Sequence, residues 1–211
     1  MARKKGLNNQ NRKITRKKIY LFLEGEKDCS EHLYLKKYYD SFGTRAIDVD
    51  FYFFPCKGGD WKNVKRTIKK EIKKGIKKGN INPEVWCVLD KDQNNLDFIQ
   101  KECDKERYKL IFSNISFELW LLYHYCKYSN IGKCDKRNYI KKLEKIKGIK
   151  YEKSEGIVVE KEEIKTAIQN SRIKYEMCSK DKTPLNEAYN CTNFYKIIER
   201  LDEAFKERNK N

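Results

Sequence analysis

Two rhythms of apolar residues alternate along this chain. Residues 19–23 (Ile-Tyr-Leu-Phe-Leu) form a short continuous apolar run, the pattern of a strand buried on both faces. Ile47–Phe54, Val85–Leu89 and Lys109–Phe112 read the same way, with Pro55 expected to end the second. Between them, apolar residues recur every three or four positions. Leu33, Leu35, Tyr38, Tyr39 and Phe42 predict a helix over 29–42, capped by Asp28 or Ser30. Val64, Ile68, Ile72 and Ile76 lie four apart and predict a second helix over 61–78, with Asp60 as its N-cap. A short helix is expected over 95–107. This β-α-β-α-β-α-β order predicts an α/β fold with a mainly parallel four-stranded sheet flanked by helices. After Ser113-Asn114 the pattern is helical: Phe117–Tyr125, then 136–147, 160–179 and 193–207, with Thr192 a candidate cap for the last. Residues 148–157 and 180–191 read as loops. The expected division is a disordered basic arm (1–18), an α/β core (19–128) and a helical extension packed on it (129–211).

Composition narrows this picture. With 211 residues, 37% charged and 39% hydrophobic, the chain can build one core with an appendage. No apolar run approaches the ~20 residues of a membrane span. The basic N-terminus has no apolar signal core behind it, so the expected location is cytoplasmic. Eight cysteines form no CxxC pair, and His124-x-Cys126 with Cys134 lacks a fourth soft ligand for zinc. The net charge of +17 points to a polyanion, nucleic acid first, although a general bias toward Lys, Ile, Asn and Tyr also raises it. The lysine-rich faces leave room for a homo-oligomer without selecting one.

The candidate chemistry lies where strands end. Glu24 follows the first apolar run, and Asp90 and Asp92 follow the third. In a parallel α/β sheet these ends share one edge, where ligands bind. Either acidic motif alone reads as a polar turn, and Asp92 also as a helix cap. Both together, each directly after an apolar strand, favour a cation that offsets their repulsion. All-oxygen ligands suit Mg²⁺ or Mn²⁺. Gly25 lets the backbone approach such a site closely.

An apolar strand followed by Glu24-Gly25, then another followed by Asp90-x-Asp92, resembles the Toprim domain of primases, topoisomerases and related nucleases. The runs LEGEKD (23–28), VWCVLDKD (85–92), SNISFELWLLYHY (113–125) and TNFYKIIERL (192–201) resemble more closely the RloB-like family of bacterial proteins. Ile115 stands where that family usually has proline. The resemblance spans about 17–205 and implies a Toprim-like core, metal-dependent nuclease activity, a role in antiphage defence and an ABC- or AAA-type ATPase partner. It implies Glu24 as general base or ligand, Asp90 and Asp92 as metal-binding aspartates, and Glu118 as a further ligand or a first-turn acid of its helix. Asn114 would cap that helix or contact a phosphate. Lys27 or Lys91 would neutralise a phosphate, while Lys62, Lys65, Arg66 and Lys69 would track the nucleic-acid backbone. Trp61 would stack on a base or pack in the core. The competing expectation is a non-catalytic nucleic-acid-binding or regulatory subunit of an ATPase complex.

Overall fold

The computed structural model describes residues 17–25, 27–42, 49–58, 60–77, 83–92, 94–132, 135–154 and 159–208. The expected arm therefore lies outside the described residues except at 17–18, which open the first strand.

Four parallel strands, β1 (Lys17–Glu24), β2 (Val49–Cys56), β3 (Glu84–Asp90) and β4 (Lys109–Ser113), form one sheet in the order β2-β1-β3-β4. The crossovers are α1 (Ser30–Ser41), α2 (Trp61–Lys77) and α3 (Leu96–Glu106). Then come α4 (Glu118–Tyr123), a 3-10 turn at Tyr128–Asn130, α5 (Lys136–Lys147), α6 (Lys161–Lys180) and α7 (Tyr195–Arg208). None of the described helices is long and apolar enough to cross a membrane.

The unbroken apolar strand runs are explained by burial on both faces. Ile19, Leu21, Leu23, Trp86, Val88 and Ile111 face α1 and α4–α7 in the larger cluster, beside fully buried Trp120, Tyr123, Tyr139 and Phe194. Tyr20, Phe22, Val85, Cys87, Leu89 and Phe112 face the other way, onto Val64 and Ile68 of α2 and Leu96, Ile99 and Cys103 of α3. Each fully buried aliphatic side chain contributes about 1.5–3 kcal/mol. Gly75 permits the close packing of α2, since a Cβ there would lie 2.7 Å from the Tyr20 hydroxyl.

Two local expectations are corrected. Pro55 does not end β2, which runs on to Cys56. Proline is tolerated because β2 is an edge strand, where a missing N–H need not break the ladder. Neither Asp28 nor Ser30 caps α1. Cys29 holds that position without a side-chain capping bond, Asp28 is left-handed at φ 68°, and Ser30 accepts a buried hydrogen bond from the Tyr151 hydroxyl at 2.8 Å. Thr192 does serve the entry to α7, its hydroxyl accepting from the Phe194 N–H at 3.2 Å, and it also donates to the Phe112 carbonyl at 2.7 Å. Beside it, Asn193 completes the outer side of β4. The Phe112 N–H donates to Asn193 Oδ1 at 2.7 Å, and Asn193 Nδ2 donates to the Leu110 carbonyl at 2.9 Å. Asp60 does cap α2, its Oδ1 accepting from the Asn63 N–H at 2.7 Å.

Candidate active site at the carboxyl edge of the sheet

The chain leaves β1 toward β2 and later crosses to the far side, so β1 and β3 are neighbours flanked by connections running in opposite directions. Such a reversal opens a crevice beyond the strands' carboxyl ends. Glu24 ends β1 and Asp90 ends β3, which places both at its mouth.

Glu24 is held firmly. Its Oε2 accepts from the Asp90 backbone N–H at 2.9 Å and from Asn94 Nδ2 at 3.0 Å, and Asn94 also donates to the Asp90 carbonyl at 2.9 Å. Burial pushes the Glu24 carboxyl up to about 7; the Asp90 N–H opposes this, and the nearby Glu31 adds to it. Gly25 then turns the chain with φ 107°, its N–H donating to the Cys56 carbonyl at 3.2 Å. That conformation suits glycine and takes the backbone directly into the α1 approach.

Asp90 is raised well above the usual carboxylate range, first by burial and then by Glu31, Glu24 and Glu118. Glu118, the first residue of α4, is 1% exposed, and neither of its carboxylate oxygens has a hydrogen bond. Burial pushes it up, but Lys153, whose Nζ lies 3.1 Å from Oε1, and Lys136 outweigh that and hold it low. Glu118 is thus both a first-turn acid and a member of the cluster.

Asp92 stands apart. Its side chain is 49% exposed and lies 3.8 Å from Lys136 Nζ. The turn carrying it is tied to the segment before α4: the Lys91 N–H donates to the Ser113 carbonyl at 2.9 Å, and the Asp92 N–H to that of Ile115 at 3.3 Å. The Asn114–Ile115 peptide bond is cis.

Three contributors were not foreseen. Glu31 sits in the first turn of α1, raised by burial and by Glu118 and countered by Lys153. Its sequence signal was its place at the start of the helix that leaves the Glu24 edge. Lys136 opens α5 and Lys153 follows that helix, and only tertiary folding brings them in. Among the described residues, no group of three or more His, Cys, Asp and Glu is arranged to hold a metal ion. Carboxylate oxygens are the donor type a hard divalent cation prefers, but Lys153 and Lys136 already stand against Glu118 and Asp92.

Other expected contacts are redistributed. Asn114 is completely buried and donates to the Leu185 carbonyl at 3.0 Å, so its side chain neither reaches a phosphate nor caps α4. Lys65 is paired with Glu102 at 2.6 Å. Lys27, Lys62, Arg66 and Lys69 are exposed, while Lys91 is half-buried, 6.0 Å from the Tyr189 ring centre. Trp61 packs, partly buried, against the α2–α3 cluster. His124 is no free ligand: its Nδ1 donates to the Trp120 carbonyl at 3.0 Å, so its Nε2 accepts from the Tyr34 hydroxyl at 2.9 Å. Cys134 lies outside the described residues, as does Glu26.

A family model described as RloB-like protein matches residues 19–201. No curated protein and no solved structure matches the chain.

Proposed function

The chain belongs to the RloB-like family, and from that premise we propose that it is a metal-dependent nuclease that hydrolyses phosphodiester bonds of RNA, tRNA included, or of DNA. Its setting would be bacterial antiphage defence beside an ABC- or AAA-type ATPase. One observation carries the reading: Glu24, Asp90, Glu31 and Glu118, from four different elements, meet at the switch point, where burial and repulsion raise the first three while Lys153 and Lys136 hold Glu118 low. Lys153 and Lys136 offset part of that charge, and the buried acids that stay raised beside them support a functional rather than a purely structural cluster.

Asp90 and Glu118, with Glu24 and Asp92 beside them, would hold Mg²⁺ or Mn²⁺. When bound, such an ion supplies charge for the scissile phosphate and a water acidified toward neutrality. Glu24, poised at about 7, is suited to take a proton from the nucleophile or return one to the leaving oxygen. The bonds from Asp90 N–H and Asn94 fix its orientation for that task. Lys27 and Lys91 flank the crevice, and the exposed Lys62, Arg66 and Lys69 give α2 a cationic face along which a phosphate backbone can run.

The test combines cleavage with binding. Wild type is expected to cut at least one of tRNA, single-stranded DNA or duplex DNA with Mn²⁺ or Mg²⁺, with the ATPase partner supplied. Glu24→Gln and Asp90→Asn should lose about 100-fold or more of that rate. Mn²⁺ should also raise the melting temperature of wild type but not of Asp90→Asn. Inertness of wild type and both variants on every substrate would transfer the protein to the regulatory-subunit reading. Equal cutting by all three would mean that the reaction occurs elsewhere.

A further inference from the structure

Tyr189 stands out in the loop between α6 and α7. Its neighbours Ala188, Asn190 and Cys191 are buried, yet Tyr189 itself is 41% exposed. An exposed aromatic side chain on a loose loop would mean little, but this loop is tied down on both sides of it. Before it, the Leu185 and Asn186 N–H groups donate to the Asp97 carboxylate at 2.7 and 3.2 Å, and the Leu96 N–H donates to Asn186 Oδ1 at 2.9 Å. After it, the Tyr139 hydroxyl donates to Asn190 Oδ1 at 2.7 Å, and Asn190 Nδ2 donates to the Gly132 carbonyl at 2.7 Å. Leu96 and Asp97 open α3, the helix that follows the Asp90 edge. The ring also has a cation beside it. Lys91 directly follows Asp90, and its Nζ lies 6.0 Å from the Tyr189 ring centre. The Lys91 backbone is fixed as well, its N–H donating to the Ser113 carbonyl at 2.9 Å and its carbonyl accepting from the Asn94 N–H at 2.6 Å. Lys136 and Lys153 are engaged by Asp92 and Glu118, whereas among the described residues the Lys91 ammonium stands beside this ring and against no carboxylate.

We propose that Tyr189 and Lys91 form a binding site for one unpaired nucleotide of a single-stranded nucleic acid, the ring stacking on the base while the ammonium meets its phosphate. This rests on the nucleic-acid substrate of the reading above, and it needs no bound ion. Every base has a π-face that an aromatic ring can cover, and a cation beside the ring supplies charge for the backbone. In a duplex both faces of a base are already covered by its neighbours. The ring therefore selects nucleotides splayed out of a single strand or a loop. A nucleotide held there sets its phosphodiester at the edge where Asp90 and Glu24 lie. The pinned loop matters for the same reason: a platform that does not move loses little freedom when the base arrives.

The test uses the full chain in EDTA and single-stranded oligonucleotides carrying 2-aminopurine, whose fluorescence falls when a ring stacks on it. Ribo- and deoxyribo-strands of one sequence are titrated side by side, and the tighter of the two names the sugar. Wild type should quench the probe. Tyr189→Ala should lose the quenching and bind the single strand about 10-fold more weakly, while its affinity for the matching duplex stays at the wild-type level. Tyr189→Phe and Tyr189→Trp should keep both the quenching and the affinity. Lys91→Gln should keep the quenching but flatten the salt dependence of log Kd by about 0.7, and this variant decides the matter if Tyr189→Ala does not fold. Equal single-strand affinity in wild type and Tyr189→Ala, or an equal loss on single strand and duplex, would overturn the site. So would a wild type that binds no single strand. A wild type that stacks the probe but cuts nothing with any divalent ion would instead sink the nuclease reading and leave this site standing.

Discussion

At the scale of single residues, His124 and Glu24 pull the pH dependence of stability in opposite directions. Burial drops the His124 imidazole from 6.5 to about 4, so the folded chain keeps it neutral where the unfolded chain protonates it. Its contribution is complete above pH 6.5 and disappears as pH falls toward 4, a change of about 3 kcal/mol. Glu24 behaves inversely in the absence of metal. Its carboxyl is raised to about 7, so its contribution is present below 4.5 and is lost as pH rises through 7. Urea unfolding from pH 4 to 7.5 separates the two. The deficit of His124→Gln relative to wild type should shrink as pH falls from 6.5 to 4. Glu24→Gln should instead gain on metal-free wild type as pH rises from 4.5 through 7. A pH-independent difference in either case would contradict the protonation state assigned to that side chain.

At the scale of elements, the positions of the strands and helices were legible because burial on two faces writes an unbroken apolar run and burial on one face writes a 3.6-residue rhythm. Predicted helix 136–147 is α5 residue for residue. What escaped was set by neighbours distant in sequence. Pro55 continues its strand because nothing pairs with the outer side of β2 among the described residues, and Thr192 ties the entry of its helix to β4 as well. The site divides along the same line. Glu24 and Asp90 announce themselves at the ends of apolar runs, whereas Lys136 and Lys153 carry no local signature among so many lysines. Asn193 is the residue through which the late segment grips the sheet. Asn193→Ala would leave the Phe112 N–H and the Leu110 carbonyl buried without partners, a loss of roughly 2–6 kcal/mol. Chemical denaturation should show it as a lower midpoint, and hydrogen exchange as faster exchange at Phe112.

At the scale of the whole molecule, the α/β unit and the later helices share one interior. Tyr139 and Leu143 of α5, Ile164 and Ala167 of α6, and Ile197, Ile198 and Leu201 of α7 belong to the same cluster as β1 and α1. Together their burial rivals the ~5–15 kcal/mol net stability of an ordinary domain. A fragment ending at residue 128 is therefore expected to lack a cooperative melting transition by circular dichroism. A fragment that melts cooperatively would show that the first half holds its own core. The same arrangement means that the crevice is incomplete without α5, since Lys136 and Lys153 reach it from the second half.

The segment laid along β4 also limits how copies of this chain could join. Thr192 and Asn193 engage the Leu110 carbonyl and both backbone groups of Phe112, so that rim offers little to an incoming strand. Among the described residues the β2 rim is left open, and it carries Pro55, which has no N–H to give. With a single open rim among the described residues, strand pairing between copies through it terminates at two. It can close a symmetric pair but cannot propagate into a fibre.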